Sequence, residues 1–196
     1  MDKYCEVTDI ENYTLTEIAS NFETQVEDWI RGVSRMFDTL ANRKLVAPAI
    51  GSGEDYEVQY FDGNGKEFLS IEDCQEIVTL KIGDCYGDNL EVATGYITYP
   101  RVAPFRKLLL KSSMFTEGLQ NVEITGRFGF FNEVPDDIRL ACSIIVAGII
   151  NDQNKGNQVK KSESIGNYSV SYVDDKGVAD FERAKAIIEG YRRIEF

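Results

Sequence analysis

The sequence predicts an α+β protein in which a helical bundle carries an inserted antiparallel β region. Three observations support this class. Residues 16–41 carry apolar side chains every three or four positions, as an amphipathic helix does. Short alternating segments separated by Gly and Asn follow at about 55–130. A strand then gives way to a helix that begins at Pro135. These patterns place the β region between helices that come before and after it.

The first long helix is predicted over residues 16–41. A helix of about 25 residues is ~37 Å long at about 1.5 Å per residue. Ser20 and Glu23 could form a capping box, so the first residue of the helix is left open by several positions. A helix this long suits a bundle or packing against neighbouring subunits. Its apolar face consists of Ile18, Phe22, Val26, Trp29, Ile30, Val33, Met36, Phe37 and Leu40.

The β region begins with a predicted hairpin. Tyr56–Phe61 and Glu67–Ile71 alternate on either side of Asp62-Gly63-Asn64-Gly65, and Gly and Asn tolerate the positive φ that tight hairpin turns need. Phe105–Lys111 fits either a strand or a helical turn. Five or six strands are therefore expected, the others being Ile77–Ile82, Glu91–Thr98 and Val122–Phe128.

The last strand of this region leads into the next helix. Its alternation breaks at Gly126 and Gly129, and Pro135 can occupy the first helical turn, where the missing N–H costs nothing. Asp136 and Asp137 then place negative charge at the positive end of the helix dipole. The helix is predicted to run from Pro135 to about Asp152.

The C-terminal part is predicted as a polar loop, a strand and a helix. Residues 151–162 contain almost nothing to bury and are expected to form a mobile loop. Ile165–Val173 alternates as a strand. The last helix is expected at about Val178–Arg193, with Arg192 and Arg193 where positive charge is favourable.

Length and composition favour one domain. The 196 residues, of which 43% are hydrophobic, can bury a sizeable core. We therefore expect a single domain over 1–196 with the β-rich insertion at about 55–130. No stretch of 18 apolar residues and no signal-like leader is evident, so a soluble protein made in the cytoplasm, without membrane contact, is expected.

The negative charge is concentrated in the first half. Residues 1–99 contain 7 Lys and Arg against 20 Asp and Glu, whereas residues 100–196 contain 14 against 13, so the halves carry −13 and +1. Such a chain is not expected to bind the DNA backbone, because phosphate contacts depend on Lys and Arg. In a ring, acidic side chains would let DNA pass without sticking. Solubility alone is the simpler explanation.

No catalytic, cofactor or metal site is predicted. The chain contains no His, which excludes Ser-His-Asp and Cys-His arrangements and imidazole ligands. Its cysteines lack CxxC spacing and are expected to be free thiols in a reducing cytosol. The acidic residues of the predicted hairpin region are expected to be solvated. The four cysteines are Cys5, Cys74, Cys85 and Cys142.

Three segments, in this order, resemble the head–tail connector (adaptor, or head-completion) proteins of tailed bacteriophages. The first is Tyr4–Ile10, which looks like the family's short first helix, with Thr8 as its cap and Glu11 completing a capping box. The second is the strand-to-helix joint, Val122–Ile138. The third is Ser162–Tyr172, followed by a terminal helix that ends in Tyr191-Arg192-Arg193. The middle of the chain matches the family loosely.

The resemblance implies a virion structural protein located in the neck. Such proteins form a ring, here expected to be a dodecamer, which binds the portal protein on one side. The other side receives the tail or a stopper or tail-completion protein. The ring would extend the DNA channel and help to retain the packaged genome, with DNA passing through the lumen without specific binding. No enzymatic activity is implied.

The expected contact residues follow from the same resemblance and from residue type. Arg and aromatic residues are enriched at binding hot spots. The expected portal or subunit contacts are Lys155, Lys160, Lys161, Arg192, Arg193 and Phe196. The hairpin tip, Asp62, Gly63, Asn64 and Gly65, is expected to be exposed and to contact an adjacent subunit or tail component.

Two other function classes remain open from sequence. An acidic DNA mimic that inhibits a nucleic-acid-binding protein would explain the acidic first half, although its acids would have to lie on one continuous face. A carboxylate-dependent enzyme would need acids that converge in a pocket.

Overall fold

The computed structural model describes residues 3–51, 56–154, 162–165, 168–171 and 175–193. Within these ranges the chain divides into two compact units. One contains residues 3–41 and 134–193 and is mainly helical. The other contains residues 42–133 and is built on a β-sheet.

The helical unit is assembled from four helices in the described part of the chain. Its helices bury their apolar stripes against one another, because an amphipathic helix must cover its apolar face. The buried side chains include Ile10, Ile30, Phe37, Ile138 and Ile188. The helices are α1 (Val7–Thr14), α2 (Ser20–Ala41), α3 (Asp136–Asn154) and α4 (Asp175–Glu189).

The start of α1 differs from the expected cap. Glu6, not Thr8, occupies the N-cap position, and its backbone N–H donates to the Asp9 carboxylate at 2.8 Å. The Glu11 carboxylate accepts instead from the backbone N–H of Ile18 at 2.8 Å. The predicted Thr8–Glu11 capping box is therefore wrong, because the helix begins one residue before Thr8.

The sheet unit contains six strands in one antiparallel sheet. Their spatial order is β1–β6–β2–β5–β4, and β3 pairs with β2 beside this path. One face buries an apolar cluster that includes Ile71, Leu80, Leu108, Ile124 and Phe128. The strands are β1 (Glu57–Gly63), β2 (Phe68–Ile82), β3 (Glu91–Val92), β4 (Tyr96–Tyr99), β5 (Phe105–Leu110) and β6 (Gly118–Phe128).

Strand β2 organises this sheet because it pairs with different neighbours along its length. Its first half pairs with β5, from Phe68 opposite Leu109 to Cys74 opposite Phe105. Its second half pairs with β6, and irregular register near Cys74 marks the change. Bulges bend a strand and increase its twist, which allows one strand to serve two sets of neighbours.

The predicted fold class is wrong in its proportions. Over the residues that the structure describes, the chain is a mixed α+β protein with four helices and a large six-stranded sheet, not a helical bundle with a small inserted β region. One reason lies in β2, which continues through the polar run Glu72–Glu76, where a break between two strands was expected, and pairs with both β5 and β6 to form one large sheet. Asp73 in this run is buried with its carboxylate 3.4 Å from Arg43 Nε, and an opposite charge offsets part of the cost of burying a carboxylate.

The hairpin prediction is also wrong. β1 and β2 are consecutive in sequence, yet β6 lies between them and pairs with both. Residues 105–111, which the sequence left open, contain strand β5. The predicted strand Ile165–Val173 is replaced by two short antiparallel strands, β7 (Ser162–Ile165) and β8 (Tyr168–Ser171). Helix α4 ends at Glu189, before Gly190, a residue with low helix propensity.

Candidate functional site

The end of the C-terminal helix is fixed by a tyrosine. Tyr191 donates its hydroxyl proton to the Asp137 carboxylate in α3 at 2.5 Å. This hydrogen bond stabilises the protonated phenol beside a negative charge and raises the pKa of Tyr191 to about 12. Tyr191 therefore holds the chain after α4 against the start of α3.

The two predicted arginine contacts follow this anchor. Arg192 is exposed, and Arg193 is half-buried with its backbone N–H bound to the Ala41 carbonyl oxygen at 2.8 Å. Arg192 therefore lies at the surface, and the backbone of Arg193 is tied to the end of α2. The other predicted portal or subunit contacts, Lys155, Lys160, Lys161 and Phe196, lie outside the described residues.

The predicted hairpin tip is a packed corner in which only part of the turn is exposed. Asp62, Asn64 and Gly65 are exposed, but Gly63 is buried and its N–H donates to the Asn121 side-chain oxygen at 2.8 Å. Asn121 is fully buried and also donates to the Thr116 carbonyl oxygen at 2.9 Å. Asn121 of β6 therefore holds the corner through hydrogen bonds to both Gly63 and Thr116.

This corner joins two other loops to form a continuous surface, which we call the acidic tip: Asp62–Gly65, Asp84–Asn89 and Glu117–Gln120. The Asp62 carboxylate accepts from the Gln120 N–H at 2.8 Å. A Cβ atom on Gly87 would lie 3.5 Å from the Leu119 carbonyl oxygen, so these backbones are in contact. Two of its apolar side chains, Tyr86 and Leu119, are 85% and 76% exposed.

The same three loops carry acidic side chains. Asp62, Asp88 and Glu117 are exposed, and Asp84 is half-buried. Asp84 accepts from the Tyr86 N–H at 2.9 Å, and this bond, with others from the same loop, lowers the pKa of its carboxyl group. The acidic tip therefore keeps its negative charge at neutral pH while presenting apolar surface.

A second surface has the opposite charge. We call Tyr99–Lys107, the connection between β4 and β5 with its flanking residues, the basic loop. It includes Arg101, Arg106 and Lys107, all exposed, and the apolar side chains of Tyr99 and Val102 are 64% and 78% exposed. Residues 92–116 contain four Lys and Arg and no Asp or Glu, although the whole chain carries −12.

The two surfaces lie at opposite ends of β5. The basic loop enters β5 at Phe105, which is opposite Cys74. The other end of β5 is Leu110, whose N–H donates to the Glu67 carbonyl oxygen at 2.8 Å, two residues after the acidic tip. Six strand residues at about 3.3 Å each place the surfaces roughly 17 Å or more apart.

Buried charged side chains connect segments of the sheet unit to one another. The Asp73 carboxylate is 3.4 Å from Arg43 Nε, and both side chains are buried, while the exposed Arg106 of the basic loop approaches to 4.0 Å. Arg43 also lies over the Phe130 ring at 4.3 Å. Arg127 donates to the Pro48 carbonyl oxygen at 3.0 Å and to the Asn132 side chain at 2.8 Å. These bonds tie the ends of the sheet unit to its strands.

A polar row crosses the face of the sheet opposite the apolar cluster. Glu123 accepts from Lys81 at 2.6 Å and from the Tyr60 hydroxyl at 3.1 Å. The hydrogen bond from Lys81, as the largest cause, lowers the pKa of Glu123. The hydrogen bond that Tyr60 donates to Glu123, followed by the negative charge of that carboxylate, raises the pKa of Tyr60. This row joins β2, β6 and β1.

Neither the basic loop nor the approach of the loop at residues 84–89 to residues 117–120 was predicted from the sequence. The absence of acids over residues 92–116 was a visible signal for the first. The second had no signal in the sequence, because residues 84–89 and 117–120 meet only when β6 inserts between β1 and β2. Among the described residues, no group of three or more potential ligand side chains could hold a metal ion, and no helix is long and apolar enough to span a membrane.

No family model and no curated protein matches the chain. Solved structures do share its fold. A chain in the neck of an empty gene transfer agent particle, computed with C6 symmetry, aligns with a TM-score of 0.60 at 12% identity, over 97% of this chain and 90% of the other.

Two further structures agree. A chain of the native gene transfer agent virion gives 0.54 at 14% identity, over 92% and 81%. A chain in the neck of the native particle, computed with C12 symmetry, gives 0.54 at 12% identity, over 100% and 96%. The protein therefore has the fold of these virion chains.

Proposed function

We propose that this protein is a virion structural protein of the neck, which forms a head–tail connector ring between portal and tail. The observation that carries the proposal is the shared fold, which extends over 97% of this chain and 90% of a neck chain from a gene transfer agent particle. The resemblance of three sequence segments to phage adaptor proteins supports it independently. The work of such a protein is adhesion, and it requires no catalytic site.

The proposed assembly is a ring, with twelve copies as the expected number. The neck structures that share the fold were computed with C6 and C12 symmetry, both of which a dodecamer can satisfy. A closed ring of identical chains uses heterologous contacts, in which one face binds a different face of the next copy. DNA would pass through the lumen without specific binding, consistent with the net charge of −12.

The proposed portal contact is the C-terminal end of the chain. Arg192 is exposed directly after the anchored Tyr191, and a guanidinium group can form paired hydrogen bonds with a carboxylate on a partner. Arg193 and the four predicted residues outside the described ranges complete this proposed surface. The Asp62–Gly65 corner is the proposed contact with an adjacent subunit or a tail or stopper protein.

Co-purification with the portal protein of the same genome tests this function. The expected result is a complex whose mass, from size-exclusion chromatography with light scattering, corresponds to the portal plus a ring of this chain. Arg192→Glu should weaken the complex at least tenfold. Arg183→Glu, an equal charge change at an exposed position of α4, should not.

Failure to co-migrate with the portal at any salt concentration would contradict the proposal. Capture of a nuclease or polymerase in place of a portal would instead favour the acidic DNA-mimic alternative.

A further inference from the structure

We propose that the acidic tip of one subunit binds the basic loop of the next subunit, and that this pair of surfaces is the head-to-tail contact of the ring. The inference rests on the proposed ring function and names the surfaces by which copies of this chain would join.

The first argument is complementary chemistry. The acidic tip combines the exposed side chains of Tyr86 and Leu119 with acidic residues, and the basic loop combines the exposed side chains of Tyr99 and Val102 with Arg and Lys. These four side chains are 64–85% exposed, so most of their apolar surface is in contact with solvent in the isolated chain. An apolar centre with a charged rim is the usual composition of a specific interface. Opposite charges on the two surfaces would steer the copies together and set their orientation.

The second argument is position. The surfaces occupy opposite ends of β5 within one sheet unit, roughly 17 Å or more apart by strand length. Two different, complementary surfaces on one rigid unit make a heterologous contact, and heterologous contacts generate closed rings when the rotation between copies closes.

A second copy fits the basic loop better than nucleic acid does. DNA phosphates could pair with Arg101, Arg106 and Lys107, but they would leave Tyr99 and Val102 without an apolar partner. The tip of another copy supplies both carboxylates and apolar side chains. Binding to DNA is therefore an outcome that the experiments below must separate.

Charge reversal provides the first test, read by sedimentation of the full-length chain at increasing concentration. Asp88→Lys with Glu117→Lys reverses the tip, and Arg101→Glu with Lys107→Glu reverses the loop. Each reversed chain should associate at least tenfold more weakly than the wild type, because like charges then face each other. Combining all four changes should restore association. Glu23→Lys, an exposed charge reversal in α2, should have no effect.

A disulfide trap tests the same contact even where association is weak. On a Cys85→Ser background, which removes the exposed native thiol, Val102→Cys and Leu119→Cys place one thiol on each surface. In a glutathione redox buffer at about 1 mM protein, the chain with both changes should give a ladder of trimers and larger species. Either single change should give no species beyond a dimer.

The outcomes decide the proposal. A ladder together with rescue by the fourfold reversal supports it. No ladder, or a fourfold variant that stays as weak as the single-surface variants, overturns it. Loss of duplex DNA binding on loop reversal, without a ladder, would assign the loop to nucleic acid and also overturn it. If imaging finds this chain in the neck but its subunits join elsewhere, the inference fails while the proposed function stands.

Discussion

Removing the buried carboxylate of Asp73 should destabilise the sheet unit strongly. Asp73→Asn preserves shape but removes the negative charge that lies 3.4 Å from the buried Arg43 Nε. Breaking a buried ion pair from one side costs about 3–5 kcal/mol. The Arg43 contact with the Phe130 ring at 4.3 Å remains in the variant, and such contacts contribute about 0.5–2 kcal/mol. We therefore expect the free energy of unfolding to fall by about 3 kcal/mol, the lower end of the range for a broken buried ion pair.

Hydrogen exchange measured by mass spectrometry is the appropriate assay. The single tryptophan, Trp29, lies in α2, so its fluorescence reports on the helical unit and not on the sheet. A loss of about 3 kcal/mol corresponds to roughly 150-fold faster exchange of the slowest amides in β2 and β6, at about 1.36 kcal/mol per tenfold change.

The matched control is Glu76→Gln on the same strand. Glu76 is 45% exposed and lies 3.9 Å from Arg127, so its removal should cost about 0–1 kcal/mol, or about fivefold in exchange at most. Replacing the buried pair together, as Arg43→Met with Asp73→Leu, should lose less than Asp73→Asn alone, because no uncompensated charge remains. Equal exchange in the Asp73 and Glu76 variants would refute the reasoning.

Three further predictions concern single sites. Gly63→Ala should destabilise the sheet unit by at least about 1–3 kcal/mol in urea unfolding, because its Cβ would lie 1.8 Å from a backbone carbonyl oxygen. The hydrogen bond from Lys81 lowers the pKa of Glu123 in the folded state. The stabilisation from this carboxylate is therefore fully present above about pH 4.3 and is lost as the pH falls through the folded pKa. The difference in free energy of unfolding between wild type and Glu123→Gln should shrink between about pH 6 and pH 3. The buried thiols of Cys5 and Cys142 lie 3.0 Å apart, so oxidised glutathione should slowly convert them to a disulfide, detected by mass spectrometry after non-reducing digestion.

The sequence predicted elements best where local signals were sufficient. The apolar stripe of α2 and the Pro135 joint identified two helices within a few residues of Ser20–Ala41 and Asp136–Asn154. In both cases the signal lies between residues that are close together in sequence, three or four positions apart in the stripe and adjacent at the joint. Tertiary contacts were not needed to recognise them.

Long-range pairing could not be predicted in the same way. The Asp62–Gly65 turn has good hairpin residues, but β6, more than fifty residues later, pairs with both flanking strands. The polar run around Asp73 indicated a break because nothing in the sequence shows that Arg43, thirty residues earlier, would neutralise it. The three loops of the acidic tip come together only in this topology. From the sequence, only the Asp62–Gly65 turn could be recognised.

The proposed neck ring can be examined directly by electron microscopy of virus particles that contain this chain. We expect a closed ring of this chain in the neck, between portal and tail, and tailless heads when the gene is deleted. Particles that assemble normally without the chain, or a neck in which no density fits its fold, would contradict it.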